Sequence, residues 1–251
     1  MSINKTLLVI FMIIGLSGNA QRLGIKPFAG ISYNGSKVII DDGGPLFTES
    51  QQASVRFTGG ILFSYAINPK CGIEYGYSSL AYSVNYNIFN PLNLENAGHF
   101  NRTERRNFHQ LNFTQTFYKH NDHLQLKWIA GFNFFNVNNV TGGKLSSNSI
   151  DTTIANVSDF NLKSQYSYNS FRNWGTAVNF GIGSEFLFKQ RVIAEWRLSA
   201  LYTSNPFTGS YCYIDLNGTK YKNEHEANQL SFNSTLLINL SSLLGSNRKE
   251  D

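Results

Sequence analysis

Eight stretches of this chain carry apolar side chains at every second residue, and no segment of comparable length shows a helical period. Such alternation gives each strand one apolar and one polar face. Eight strands of this kind must pair with one another and leave no long edge exposed, and closing the sheet on itself meets both demands. The spacing predicts strands near Leu23–Tyr33, Val55–Ile67, Cys71–Tyr86, Arg105–Tyr118, Leu124–Phe134, Trp174–Phe188, Val192–Tyr202 and Leu230–Leu240. Pro27 removes a ladder donor, so a bulge or a late start is expected in the first strand. In the third, Cys71, Ile73, Tyr75 and Tyr77 give way after Ser78-Ser79 to Leu80, Tyr82, Val84 and Tyr86, and a β-bulge there would account for the change of phase.

The connections alternate as well. Strands 2–3, 4–5 and 6–7 are joined by about three to five residues, as at Asn68-Pro69-Lys70 and Lys189-Gln190-Arg191, and the remaining links run to about 15–35. Unequal ends of this sort, with an even strand number, define the outer-membrane barrel, whose short turns are periplasmic and whose long loops are extracellular. The fold class expected is all-β: an eight-stranded antiparallel up-and-down transmembrane β-barrel, with periplasmic termini.

Residues 1–20 read as a cleaved signal peptide. Lys5 is followed by an apolar run from Leu7 to Leu16 and by Gly18-Asn19-Ala20 before the cut, leaving a barrel domain over 21–251. That run is too short to span a bilayer as a helix, which takes about 20 residues. Charged residues make up 15% of the chain and aromatic ones 14%, whereas a water-facing surface typically carries about 25–35% charge. A lipocalin also has eight strands, but its apolar face turns inward around a ligand. Here the polar face is Gly, Ser, Thr and Asn, a poor coat for water and a good lining for a narrow lumen. Tyr33, Phe134, Trp174 and Tyr202 near the loop end, with Tyr65, Phe117, Trp196 and Phe188 nearer the turn end, suit interfacial girdles. The apolar face is therefore expected in lipid, with outer-membrane lipid and lipopolysaccharide as its surroundings. The net charge of +5 is scattered, which argues against nucleic acid and allows attraction to anionic headgroups.

The run Gly72-Ile-Glu-Tyr-Gly-Tyr-Ser78 and the glycine-rich Asn179-Phe-Gly-Ile-Gly-Ser-Glu185 resemble the PorT-like family of Bacteroidota outer-membrane barrels, over nearly the whole chain after the leader. The C-terminal Ser-Ser-Leu-Leu-Gly-Ser departs from that family's terminal aromatic residue. The resemblance implies a compartment, and for one branch a part in protein secretion and surface attachment; it implies no reaction.

The polar face admits five charges at similar depth: Glu74, Lys127, Glu185, Glu195 and Arg197. Matching the apolar faces of strands 6 and 7 places Glu185 opposite or diagonal to Glu195, and two close carboxylates need a cation between them. Eight-stranded barrels are filled by side chains, so the cluster reads as a plug, with a charged gate for ions as the alternative. No catalytic site is expected: His109 and the serines at 78, 79 and 83 have no orienting carboxylate in register. No metal or cofactor site is expected either. His120 and His123 fall short of the three or four ligands a zinc site takes, and His99 and His225 lie in connections. Cys71 and Cys212 fall at opposite ends, too far apart for a disulfide. The long segments 138–173 and 204–228 are the candidates for docking a surface or secretion-machinery partner; Asp151-Thr152-Thr153 in the first matches a short Bacteroidota O-glycosylation motif. The protein is expected to be a monomer and no enzyme. A small-solute channel and a lipocalin-like secreted binder are the other functional readings.

Overall fold

The computed structural model describes residues 23–42, 47–50, 54–89, 96–137, 163–165, 174–204, 208–214 and 219–244. The expected leader, the Asp151–Thr153 motif, most of 138–173 and the side chain of Cys212 lie outside the described residues. In chain order the strands are β1 (Leu23–Asn34), β2 (Ser36–Asp41), β3 (Phe47–Ser50), β4 (Ser54–Ala66), β5 (Cys71–Phe89), β6 (Asn96–His120), β7 (Leu124–Val137), β8 (Lys163–Gln165), β9 (Trp174–Phe188), β10 (Arg191–Thr203), β11 (Thr208–Ile214), β12 (Lys220–Ala227) and β13 (Leu230–Ile238), followed by a short helix α1 (Leu240–Leu244).

Eight of them form one closed antiparallel wall in the order β1, β4, β5, β6, β7, β9, β10, β13, with β13 pairing back to β1. Alternation puts the apolar face outside. Phe57, Phe180 and Phe188 are 69%, 58% and 60% exposed, in a belt with Ile31, Val178, Leu198 and Leu236. An outward face of this kind overturns the lipocalin reading. The belt is tied together where a polar atom needs a partner: Trp196 Nε1 donates to Ser234 Oγ at 3.1 Å and Tyr202 OH to Gln229 Oε1 at 2.9 Å.

Several expectations need correction. The third strand does not change phase: β5 keeps one register with β6 from Cys71 to Ile88, so Leu80, Tyr82, Val84 and Tyr86 turn inward. Apolar residues switch sides there because residues 80–84 are buried on both faces, whereas the lower strand has lipid on one. The fourth strand is longer than expected, 25 residues, and the link from β5 to β6 shrinks to residues 90–95. A tilted strand crosses a bilayer in about 9–11 residues, so the β5–β6 hairpin stands well clear of the membrane at the loop end.

Pro27 makes no bulge in the β1–β4 ladder; instead pairing with β13 begins only at Phe28, one residue beyond the missing donor. Below that point α1 closes the seam, with Ser241 Oγ accepting from the Ile25 N–H at 3.1 Å. Leu240 belongs to this helix, not to the last strand.

At the loop end β2, β12, β11 and β8 form a second antiparallel sheet, so segments expected as connections are strands. Between β9 and β10 the turn is Lys189-Gln190 alone, with φ of 48° and 62°. Left-handed values at both central positions are those of the hairpin turn that follows strand twist. A Gln190→Gly variant is accordingly expected to gain about 0.5–1 kcal/mol in urea unfolding from lipid vesicles, the relief of left-handed strain less glycine's entropy cost; a loss of stability would contradict the turn assignment.

Candidate functional site

The lumen is filled in three tiers. Near the turn end, Glu74 of β5, Lys127 of β7, Glu185 of β9 and Glu195 and Arg197 of β10 converge as their common inward phase requires. Glu185 and Glu195 are direct register partners. Between the carboxylates stands Lys127, whose Nζ is 2.8 Å from Glu185 Oε1, 2.8 Å from Glu195 Oε2 and 3.3 Å from Glu74 Oε1. Arg197 Nη2 reaches Glu195 Oε1 at 2.7 Å and Glu74 Oε2 at 2.9 Å.

A sixth member, Lys26 of β1, was not anticipated. Its Nζ lies 3.1 Å from Glu74, 3.3 Å from Glu195 and 3.6 Å from Glu185. Three carboxylates therefore face three cations, a neutral set, and none of the six is more than 6% exposed. Lys26 shares the inward phase of Gly24, Ser32 and Asn34, which was legible; the expected disruption at Pro27 hid it. Gly183 makes the room: a Cβ there would stand 2.6 Å from Glu195 Oε1 and 3.1 Å from Lys127 Cε.

Above the charges lies an amide tier. Asn133 donates to Asn179 Oδ1 at 3.0 Å and Asn179 to Asn112 Oδ1 at 3.1 Å, all around Gly131, where a Cβ would come within 2.1 Å of Asn112 Oδ1. The third tier, toward the loop end, is apolar: Leu80, Tyr82, Phe108, Phe135, Ala177 and Leu201. Into it Arg106 inserts its guanidinium, 5.0 Å from the Tyr82 ring centre and 4.9 Å from that of Phe135, with Glu104 at 3.4 Å.

The remaining candidates stay apart from these tiers. His109 faces outward between Tyr77 and Tyr75, whose hydroxyl is 3.3 Å from its Nδ1. Ser78 points into the lumen and is bonded by Gln110 Nε2, so histidine and serine occupy opposite faces of the wall. His120 stacks on Tyr118 in the β6–β7 hairpin. Cys71 is a free thiol beside the β4–β5 turn, and Cys212 belongs to β11 in the sheet at the other end.

That second sheet is a built platform. Lys222 N donates to Asp42 Oδ2 at 2.7 Å, and Asn228 N to Gly35 O at 2.7 Å. His225, expected in a connection, lies in β12, fully buried, its ring 3.9 Å from Tyr86 and 11° from parallel to it. Burial pushes its pKa down to about 4, against a smaller upward pull from Asp41 on β2.

Closed pairing, an outward apolar belt and a filled lumen define an eight-stranded membrane-spanning β-barrel of the outer-membrane type. Among solved structures the chain is similar to the outer membrane protein OprG from Pseudomonas aeruginosa, with 14% identity, a TM-score of 0.45 and coverage of 87% of this chain and 95% of that one. No protein-family profile matches the sequence, and no curated protein matches it.

Two outcomes follow from the tiers and the platform. Glu195→Gln leaves three cations facing two carboxylates in a buried site, and unfolding from vesicles should lose about 3–5 kcal/mol. Adding Arg197→Met restores neutrality and should recover part of it; a single-variant loss below about 1 kcal/mol would refute a tightly coupled network. For His225 the fold favours the neutral ring. The docking of β12 on Tyr86 is therefore whole above pH 6.5 and weakens as pH falls toward about 4. Hydrogen exchange at residues 220–227, corrected for intrinsic rates, should show that loss in the wild type and not in His225→Phe, and pH-independent protection of the wild type would refute it.

Proposed function

We propose that this chain is an integral protein of the bacterial outer membrane that does not conduct, and that its working surface is the platform at the loop end. The observation that carries the reading is the pairing of a lumen closed by three side-chain tiers with an ordered sheet, β2-β12-β11-β8, above it. Residues whose only task is to hold a wall in lipid do not require a second sheet. Connections built into strands present fixed hydrogen-bonding edges and side chains to a partner, and ordered long connections are commonly functional.

The partner class is a surface or secretion-machinery protein, engaged through 204–228 and the described part of 138–173. The Gly72–Ser78 and Asn179–Glu185 runs support a Bacteroidota envelope and a PorT-like role. With the long connections outside, the termini and the short turns lie in the periplasm, after removal of the leader read over residues 1–20. The barrel acts as a monomer and carries out no catalysis. Among the described residues the ring contacts of His109 are with the tyrosines Tyr75 and Tyr77, which supports that reading.

A small-solute channel is the competing reading, and the two separate cleanly in planar bilayers. The purified full-length chain is expected to give no steady current, and a reproducible ion-selective conductance would replace the docking reading with the channel one. Cell fractionation is expected to place a heat-modifiable band in the outer membrane; recovery as a dissolved periplasmic protein would end both readings.

A further inference from the structure

Between the charge tier and the apolar tier the lumen contains a cavity of about 50 Å³. Its floor includes Arg197 and its ceiling Leu80, Phe108 and Leu201, so both neighbouring tiers contribute to it. On the scale of about 10–15 Å³ per water-sized probe, this is room for roughly four such groups.

The wall between is not apolar. Asn133 and Asn233 line it, and among the described residues neither Oδ1 accepts a hydrogen bond; Asn133 is only 1% exposed. Native structures rarely leave buried carbonyl acceptors without a donor. The charges of the two flanking tiers cancel within each tier: the six-membered cluster below, and Arg106 with Glu104 above. An entering ion would lose its hydration and meet no counter-charge left over, so the site selects neutral guests.

The two ends also close by different chemistry. Below, three cations and three carboxylates hold one another through contacts of 2.7–3.6 Å. Above, Arg106 has ring stacking and a carboxylate at 3.4 Å, on a side chain with four rotatable bonds.

We infer that this cavity is a binding chamber for small neutral hydrogen-bond donors of up to about four non-hydrogen atoms, closed at the turn end and entered from the loop end past Arg106. Water is the smallest member of the class, and an unsubstituted amide is the simplest solute in it. The unpartnered Asn133 and Asn233 oxygens take the guest's N–H or O–H groups, while Ser78, Ser199 and Gln110 offer hydroxyl and amide partners to its acceptor.

Formamide is the probe, titrated into the full-length isotope-labelled protein in lipid nanodiscs with the side-chain amide signals of Asn133, Asn179 and Asn233 observed. The expected result is saturable shifts confined to those signals. Ser199→Leu, which fills the chamber, should abolish them, and Asn233→Leu, branched alike at Cγ but bulkier and without an acceptor, should weaken binding at least threefold. Heat-modifiability shows that each variant is folded, and either variant alone suffices for the test. Arg106→Ala should speed exchange of the probe without abolishing the shifts. Absence of saturable shifts in the wild type, or wild-type affinity for the probe in either folded chamber variant, would overturn the chamber. Unchanged exchange in Arg106→Ala would overturn the outer entrance.

Discussion

Three carboxylates cannot stay ionised inside a lumen this narrow unless three cations stand among them, and the rest of the barrel is arranged around that requirement. Removing one ion of such size from water costs several kcal/mol even after relaxation. Mutual attraction repays the cost only where the geometry is tight and every lone pair is used. Five strands supply the six charges, and Gly183 yields the space in which Lys127 and Glu195 meet. The plug is thus a property of strand register: shift any contributing strand by one residue and its charge would point into lipid.

Filling by tiers gives the lumen a gradient of chemistry along its axis. Charges stand at the turn end, amides in the middle, and aromatic rings around one guanidinium at the loop end. Within each tier the hydrogen bonds and ion pairs run sideways, across strands, and between the charge tier and the apolar tier Asn133 Oδ1 is left without a donor among the described residues. The cavity sits in that interval. At the loop end the wall is continued by the β5–β6 hairpin and capped by a sheet whose contact with it includes the stacked rings of Tyr86 and His225.

Much of this was legible in the sequence, because period-two alternation leaves little freedom once the number of strands is even. The wall, its outward face, the turn ends and five members of the charge cluster follow from parity and distance to a short turn. Failures arose where parity remained valid but the surroundings changed. Leu80, Tyr82, Val84 and Tyr86 are apolar and inward, which inverts the rule that holds in lipid, so continuous alternation reads as a bulge. Lys26 keeps the inward phase, but Pro27 beside it lacks a ladder donor and so predicts a break in the alternation at that point. The platform is illegible for a different reason: its strands are short and mixed in polarity, and although β11 and β12 form a local hairpin, β2 pairs with β12 and β8 with β11 across distant parts of the chain, which no local pattern encodes. Arg106 between Tyr82 and Phe135 likewise depends on three strands meeting, and in the sequence it is one arginine of a basic pair.

Lys26 also constrains how the protein reaches its final state. It arrives on the first strand, while Glu195 and Arg197 arrive on the seventh, and nothing short of joining β1 to β13 brings them together. Until that seam forms, the later strands hold two carboxylates and two cations, Lys127 with Glu185 and Arg197 with Glu195, while Glu74 and Lys26 wait on the early ones. Circularisation of the sheet and completion of the charge set are therefore one event. A partly assembled wall carries exposed charge on the surface that will become its interior, and that charge keeps the interior wetted until the final pairing expels the water. The cluster serves as a latch on assembly, set only when the two ends of the chain have found each other.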